Sequence, residues 1–212
     1  MPKKRLLSLM LVIAIGSSCS TGDRSESSGD SVRTAEARAV ALVARLGGAM
    51  TRDEADPDRP VVEVDLHGSA VADEDLAELA ALPKLRKLDL RLTGVGDSGV
   101  ARLAPLSELR FLNLFRTKTT DRGIEALRNL RRLETMLIGG TAVTDEGMSV
   151  LAGFSDLRKV SVFDTRIGDE GLRRLHGISR LETVLVGKSL VTEAGKAALL
   201  RAVPNVKFTE PT

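Results

Sequence analysis

The chain has 212 residues, 42% of them apolar but with only five Phe and no Tyr or Trp, so any core it builds is aliphatic. Its formal charge of +2 includes Lys3, Lys4 and Arg5 of a segment expected to be removed; without those three cations the balance is −1. That near-neutral charge gives no global attraction to nucleic acid, and a single cysteine leaves no internal disulfide to hold the fold.

Residues 1–19 have the order of an export signal. Lys3-Lys4-Arg5 is a basic start, Leu6 to Ile15 an apolar run, and Gly16-Ser17-Ser18 supplies small residues before Cys19. The apolar run is too short to span a bilayer as a mature helix. A lone cysteine directly after small residues resembles the lipoprotein signal, in which that cysteine becomes the acylated N-terminus. Gly16 stands where that signal usually has Leu. The resemblance implies a lipidated Cys19 and an exported, membrane-anchored protein of the bacterial cell envelope, on its periplasmic or outer-membrane side. The alternative is a secreted protein cut nearby, with Cys19 idle.

Residues 20–31 (STGDRSESSGDS) lack apolar side chains and read as a flexible tether. Val32 to Gly47 has helical spacing, with Thr34 as a cap, an apolar side of Ala39, Val40, Leu42, Val43 and Leu46, and Gly47-Gly48 as its end. Ala49 to Arg52 reads as a short strand and Asp53 to Pro60 as an acidic loop. Together residues 32–60 are expected to cap whatever follows.

From Val61 onward one unit recurs every 24 residues. Leu85, Leu109, Leu133, Leu157 and Leu181 repeat without a slip. So do Leu88, Leu112, Met136, Val160 and Val184, and, two places on, Leu90, Leu114, Ile138, Val162 and Val186. Thr93, Thr117, Thr141, Thr165 and Ser189 hold a bend. Asp97, Asp121, Asp145, Asp169 and Glu193 precede Gly99, Gly123, Gly147, Gly171 and Gly195. With a less regular first copy around Val64 and Leu66 this makes six repeats, each a strand, a bend and a helix. Such a unit cannot bury its apolar side alone, so it stacks on copies of itself.

The LxxLxLxxT…TDxGLxxL pattern resembles the leucine-rich repeat family over roughly Val61 to Phe208. The resemblance implies an α/β solenoid over 61–212, with a parallel sheet on the concave side, helices on the convex side and a partial repeat closing the C-terminus. It implies ligand binding in general, without naming a ligand. The family's usual Asn is replaced here by Thr, whose hydroxyl is expected to make a shorter version of the hydrogen-bond ladder between neighbouring turns.

Residues pointing away from the core form three columns across the strands: Glu63, Lys87, Phe111, Thr135, Lys159, Thr183; Asp65, Asp89, Asn113, Leu137, Ser161, Leu185; and His67, Arg91, Phe115, Gly139, Phe163, Gly187. The early end is charged. The later repeats place Phe111, Phe115, Leu137, Phe163 and Leu185 on a face the fold has no need to bury, which marks a binding surface. Arg91, Arg116 and Lys159 would give polar rim contacts. Phe115 and Phe163, about 10 Å apart across two strand spacings, would leave a slot floored by Gly139. The alternative is that these rings pack on one another and on neighbours such as Lys159 and Arg116, adding local stability alone.

Weaker chemistry is absorbed by simpler readings. Glu63, Asp65, His67 and Asp89 converge in the manner of a metal site, but Lys87 and Arg91 beside them favour a solvated charged patch. Asp145-Glu146 and Asp169-Glu170 cap helix starts, and His176 sits near a helix end where it meets the dipole. Arg128, Arg131, Arg132, Arg158, Arg173, Arg174 and Arg180 thicken one edge without aromatic stacking partners, which argues against a nucleic-acid surface. No catalytic constellation, metal motif or cofactor loop emerges. The expectation is a non-enzymatic module that binds a protein or other extracytoplasmic ligand on its concave face, with no cofactor; the alternative is a structural or self-associating envelope protein. Sequence leaves the oligomeric state open.

Overall fold

The computed structural model describes residues 24–210, with side chains from residue 34 on; the export segment, Cys19 and residues 20–23 lie outside it. Helix α1 (Arg24–Arg45) opens the described chain. It begins eight residues ahead of Val32, so part of the segment read as a tether, 24–31, is helical. Extending a helix adds one hydrogen bond per residue fixed, whereas starting one is the unfavourable step. The apolar stripe of Ala39, Leu42 and Val43 is buried against the first repeat and supplies that start. Gly47, at φ 70°, reverses the chain into β1 (Ala49–Arg52).

Strand β1 pairs antiparallel with β2 (Val61–Asp65) and covers what would be the open N-terminal edge of the sheet. Six further strands then follow in strict order. They are β3 (Lys87–Asp89), β4 (Phe111–Asn113), β5 (Thr135–Leu137), β6 (Lys159–Ser161), β7 (Thr183–Leu185) and β8 (Lys207–Thr209). From β2 on every pairing is parallel, in an eight-stranded sheet ordered β1 to β8. Each register step equals the sequence period: Glu63 faces Lys87, Lys87 faces Phe111, and so on to Lys207. The named strands are three residues long, but backbone pairing runs past them. Leu114 N–H donates to Leu137 O and Arg116 N–H to Gly139 O at 2.9 Å, and the same two bonds recur between the other repeats.

Between the strands lie α2 (Leu76–Leu79), α3 (Asp97–Arg102), α4 (Asp121–Ala126), α5 (Met148–Leu151), α6 (Asp169–Arg173) and α7 (Glu193–Ala202). Each packs on the helices of adjacent repeats, forming a second layer beside the sheet. The core between the layers is one aliphatic column in which Leu88, Leu112, Met136, Val160 and Val184 are fully buried, with Phe154 as its largest side chain.

Two hydrogen-bond ladders differ from expectation. The Thr hydroxyls stay within their own repeat: Thr117 Oγ1 donates to Leu114 O at 2.8 Å and Thr141 Oγ1 to Ile138 O at 2.6 Å. A threonine side chain is too short to span the roughly 5 Å between strands, so it closes its own bend instead. Aspartates do the cross-linking. Asp97 Oδ1 accepts from the Thr120 and Gly123 N–H groups and its Oδ2 from Thr120 Oγ1 at 2.7 Å. Asp121 does the same to Thr144 and Gly147, and Asp73, Asp145 and Asp169 make parts of the set. Each carboxylate therefore caps the helix start of the next repeat rather than its own. This also explains the glycine column. A Cβ on Gly123 or Gly147 would stand 2.6 or 2.5 Å from the Oδ1 of the preceding repeat's aspartate.

The arginine-rich edge is likewise an interlock. Arg110 pairs with Glu134, Arg132 with Glu108, Arg158 with Glu182 and Arg180 with Asp156, each across one 24-residue step. Arg128, Arg173 and Arg174 pair with glutamates of their own repeats, three or four residues back, and Arg131 donates to Gly153 O. His176 lies beyond the end of α6, and among the described residues its buried Nε2 has no hydrogen-bond partner.

Candidate functional site

The open face of the sheet divides into two depressions. Near the N-terminal end Glu63, Asp65, Lys87, Asp89, Arg91 and Phe111 surround a volume of about 420 Å³. Its charges are paired, Lys87 with Glu63 at 3.4 Å and Arg91 with Asp89 at 3.6 Å, and His67 Nδ1 is hydrogen-bonded to Asp65 Oδ1 at 2.8 Å. Burial would raise the Asp65 pKa, but the His67 N–H, the His67 ring and the Arg91 charge outweigh it, so the carboxyl titrates below its usual range. Among the described residues no group of three or more His, Cys, Asp or Glu is placed to hold a metal.

The middle column does not stand in solvent as its register alone suggests. Asp89, Asn113 and Ser161 are buried. Asp89 and Asn113 each accept a backbone N–H two residues on, Asp89 from Arg91 at 3.0 Å and Asn113 from Phe115 at 3.1 Å, and Asn113 Nδ2 donates to Asp89 Oδ2. These short side chains are roofed by the longer ones on either side and satisfy their polar atoms locally.

Where that column changes to Leu137 and Leu185 the second depression begins, with a volume of about 340 Å³. Phe115 and Phe163 are half-buried around it, Ser161 lies between the two leucines, and Arg91, Leu92, Asn113 and Lys159 complete its lining. Six of the residues expected on this face thus meet at one place: Arg91, Phe115, Leu137, Lys159, Phe163 and Leu185. Phe111 does not join them. It belongs to the charged depression, where the Lys87 ammonium lies 5.7 Å from its ring centre. Arg116 stands on the rim with its guanidinium 5.2 Å from the Phe115 centroid.

The expected glycine slot is closed. Phe115 leans over Gly139, its Cδ2 only 3.0 Å from where a Cβ would sit, and brings its centroid to 6.4 Å from Phe163 at a tilt of 35°. Because Gly139 has no side chain to hold the rings apart, the favourable tilted contact fills the gap. The open volume lies beside the rings, above the leucines.

Register arithmetic omits two neighbours. Leu92 is 52% exposed at the edge of the depression, and Lys188 lies 5.6 Å from the Phe163 centroid. Leu92, Arg116, Asp164 and Lys188 all occupy left-handed backbone at φ between 54° and 60°, in the column where Gly68 and Gly140 adopt the same turn. Only the glycines announce that conformation in sequence.

The family described as leucine-rich repeat matches residues 81–104 and 155–175. No curated protein matches the sequence. Among solved structures, an internalin (inlF) from Listeria monocytogenes superposes with a TM-score of 0.54 at 18% identity, over 71% of this chain and 48% of that one. The Arabidopsis receptor kinase HAESA leucine-rich-repeat ectodomain, solved with a peptide hormone ligand, gives 0.60 at 16% identity, over 85% of this chain and 33% of that one. The chain thus spans about half the length of the first and a third of the second.

Proposed function

This chain is a leucine-rich-repeat protein, and from that premise we propose that it is a non-enzymatic recognition module of the bacterial cell envelope, binding a protein partner on the concave, open face of its sheet. One observation carries the reading: the change of the middle column from buried, self-satisfied Asp89 and Asn113 to half-buried, apolar Leu137 and Leu185 that line a depression. The fold gains nothing from apolar groups there, since its core lies on the other side of the strands. The contact between Phe115 and Phe163 accounts for those two rings, but not for two half-buried leucines lining the depression beside them. A preformed sheet also loses little conformational entropy on docking. Envelope placement rests on the export and lipoprotein features around Cys19.

The test is capture from the native envelope fraction with the full chain and with a Phe115→Asp, Phe163→Asp double variant, both checked for fold by circular dichroism. A partner held by the wild type and lost by the variant supports this face. A partner held equally by both, or concentration-dependent self-association with nothing else captured, overturns it.

A further inference from the structure

Resting on that reading, we propose a definite chemistry for the occupant. It is an extended segment of a partner protein with the pattern acid–x–apolar–x–acid, its apolar side chain seated on Leu137 and Leu185 and its carboxylates meeting Lys159 and Arg116.

Three observations lead there. The depression is walled by Phe115 and Phe163, with Leu137 and Leu185 on either side of Ser161 below them and Lys159 at its margin, so an apolar side chain fits over the leucines with negative charge beside it. The cations beside it are uncommitted. Among the described residues the Lys159 ammonium has neither hydrogen bond nor ion pair, and the guanidinium of Arg116 touches only a ring face. This differs from the neighbouring edge, where Arg110, Arg132, Arg158 and Arg180 each hold a carboxylate one repeat away. An arginine over an aromatic face keeps its in-plane N–H groups free to donate to a carboxylate.

The third observation is backbone strain. Leu92 and Arg116 sit in the left-handed region, where Gly68 and Gly140 fill the same column without penalty. Strained positions persist where the side chain is wanted; Leu92 lines the depression and Arg116 stacks on Phe115, one of its walls.

Geometry sets the spacing. Lys159 starts its strand, whereas Arg116 lies just past the end of its own, so the two cations flank the apolar site on opposite sides. By register Lys159 shares a row with Phe111, and Arg116 lies five residues past Phe111 and two strands away, so their backbones stand roughly 19 Å apart. Acids two residues either side of a central apolar residue, about 13 Å apart, are within reach of two such long side chains. Asp164 and the Glu210 carboxylate, which lies against Gly187, put negative charge at the C-terminal end of the rim. They direct the second acid to Arg116 rather than Lys188.

The test uses the full chain, immobilised, against a displayed library of random 12-residue peptides, with the best clone remade synthetically for affinity measurement. Enriched clones are expected to share acid–x–apolar–x–acid. The synthetic peptide should lose tenfold or more in affinity for Lys159→Glu and for Arg116→Gly. The second variant removes the charge while easing the backbone, and circular dichroism checks that it is folded before its affinity is read. Basic or uncharged consensus sequences, no enrichment, or unchanged affinity in both variants overturns the proposal. A partner captured from the envelope despite such a result would leave the open face as a binding surface and discard only this ligand chemistry.

Discussion

Asp121 clasps Thr144 with both carboxylate oxygens, accepting its N–H at 2.8 Å and its hydroxyl at 2.8 Å, across the boundary between two repeats. A third bond comes from the Gly147 N–H at 3.1 Å. A solenoid has contacts only between neighbours, so such a clasp sets the strength of one interface directly.

Removing an interior clasp should therefore weaken the whole stack. Hydrogen bonds to a charged group contribute about 1.5–3 kcal/mol net, and they share one acceptor here, so Asp121→Ala is expected to lose about 2–4 kcal/mol. Asp121→Asn, which can still accept with one oxygen, should lose about half as much. Urea unfolding followed by circular dichroism reads both. Gly147→Ala should resemble the alanine variant, because its Cβ would displace the same oxygen.

Acid should act through these clasps. Burial would raise the Asp73 pKa, but the Ser98 hydroxyl, the Gly96 and Gly99 N–H groups and the Arg102 charge outweigh it; the Thr192 hydroxyl and N–H lower that of Asp169. A folded pKa below the unfolded one means the unfolded chain binds more protons in that range, so stability rises with pH there. The contribution is complete above the unfolded value of about 3.9 and is lost as pH falls through the lower folded values. Urea midpoints should be level from pH 7 to about 5 and drop below about 4. Asp73→Asn should flatten that drop. A midpoint that falls between pH 7 and 5 instead would assign acid sensitivity to other groups.

The regularity that made the fold legible also bounds what sequence could tell. An unbroken 24-residue period fixes the register, and register fixes which residues share a face, so Leu137, Phe163 and Leu185 could be placed together from spacing alone. Side-chain direction is another matter. Phe115 leans across Gly139, and no column diagram contains that rotamer. The cross-repeat role of the aspartates was hidden because a carboxylate at a helix start suits its own helix equally well on paper. Its trace was the glycine two places on, a position that needs no positive φ and is small only to admit the neighbour's oxygen. The left-handed column was masked by Leu92, Arg116, Asp164 and Lys188, none of which signals such a turn.

That column makes an unusual mutational forecast. Left-handed backbone costs a non-glycine residue about 1–2 kcal/mol, while glycine adds unfolded-state entropy worth about 0.5–1 kcal/mol. Arg116→Gly and Lys188→Gly should therefore be neutral to stabilising by about 1 kcal/mol, although each deletes a cation–ring contact. Gly140→Ala should go the other way by 1 kcal/mol or more, about the size of the left-handed penalty alone, since its φ is 66° and its Cβ would stand 2.7 Å from Arg116 Cγ. Thermal unfolding of the three variants side by side gives the comparison.

Phenylalanine offers the sharpest separation of scaffold from surface. Phe154 is fully buried in the aliphatic column, and Phe154→Ala is expected to lose about 3–5 kcal/mol. Phe115 and Phe163 are half-buried on the open face and support each other across 6.4 Å. Each alanine variant there should lose about 1–1.5 kcal/mol, with a coupling of about 0.5–1.5 kcal/mol in the double-mutant cycle. The ordering matters more than the values. If Phe163→Ala is as damaging as Phe154→Ala, the rings belong to the scaffold and a docking role loses its support. If the losses are small and the coupling is confined to the pair, the apolar face is a surface the fold maintains without depending on it.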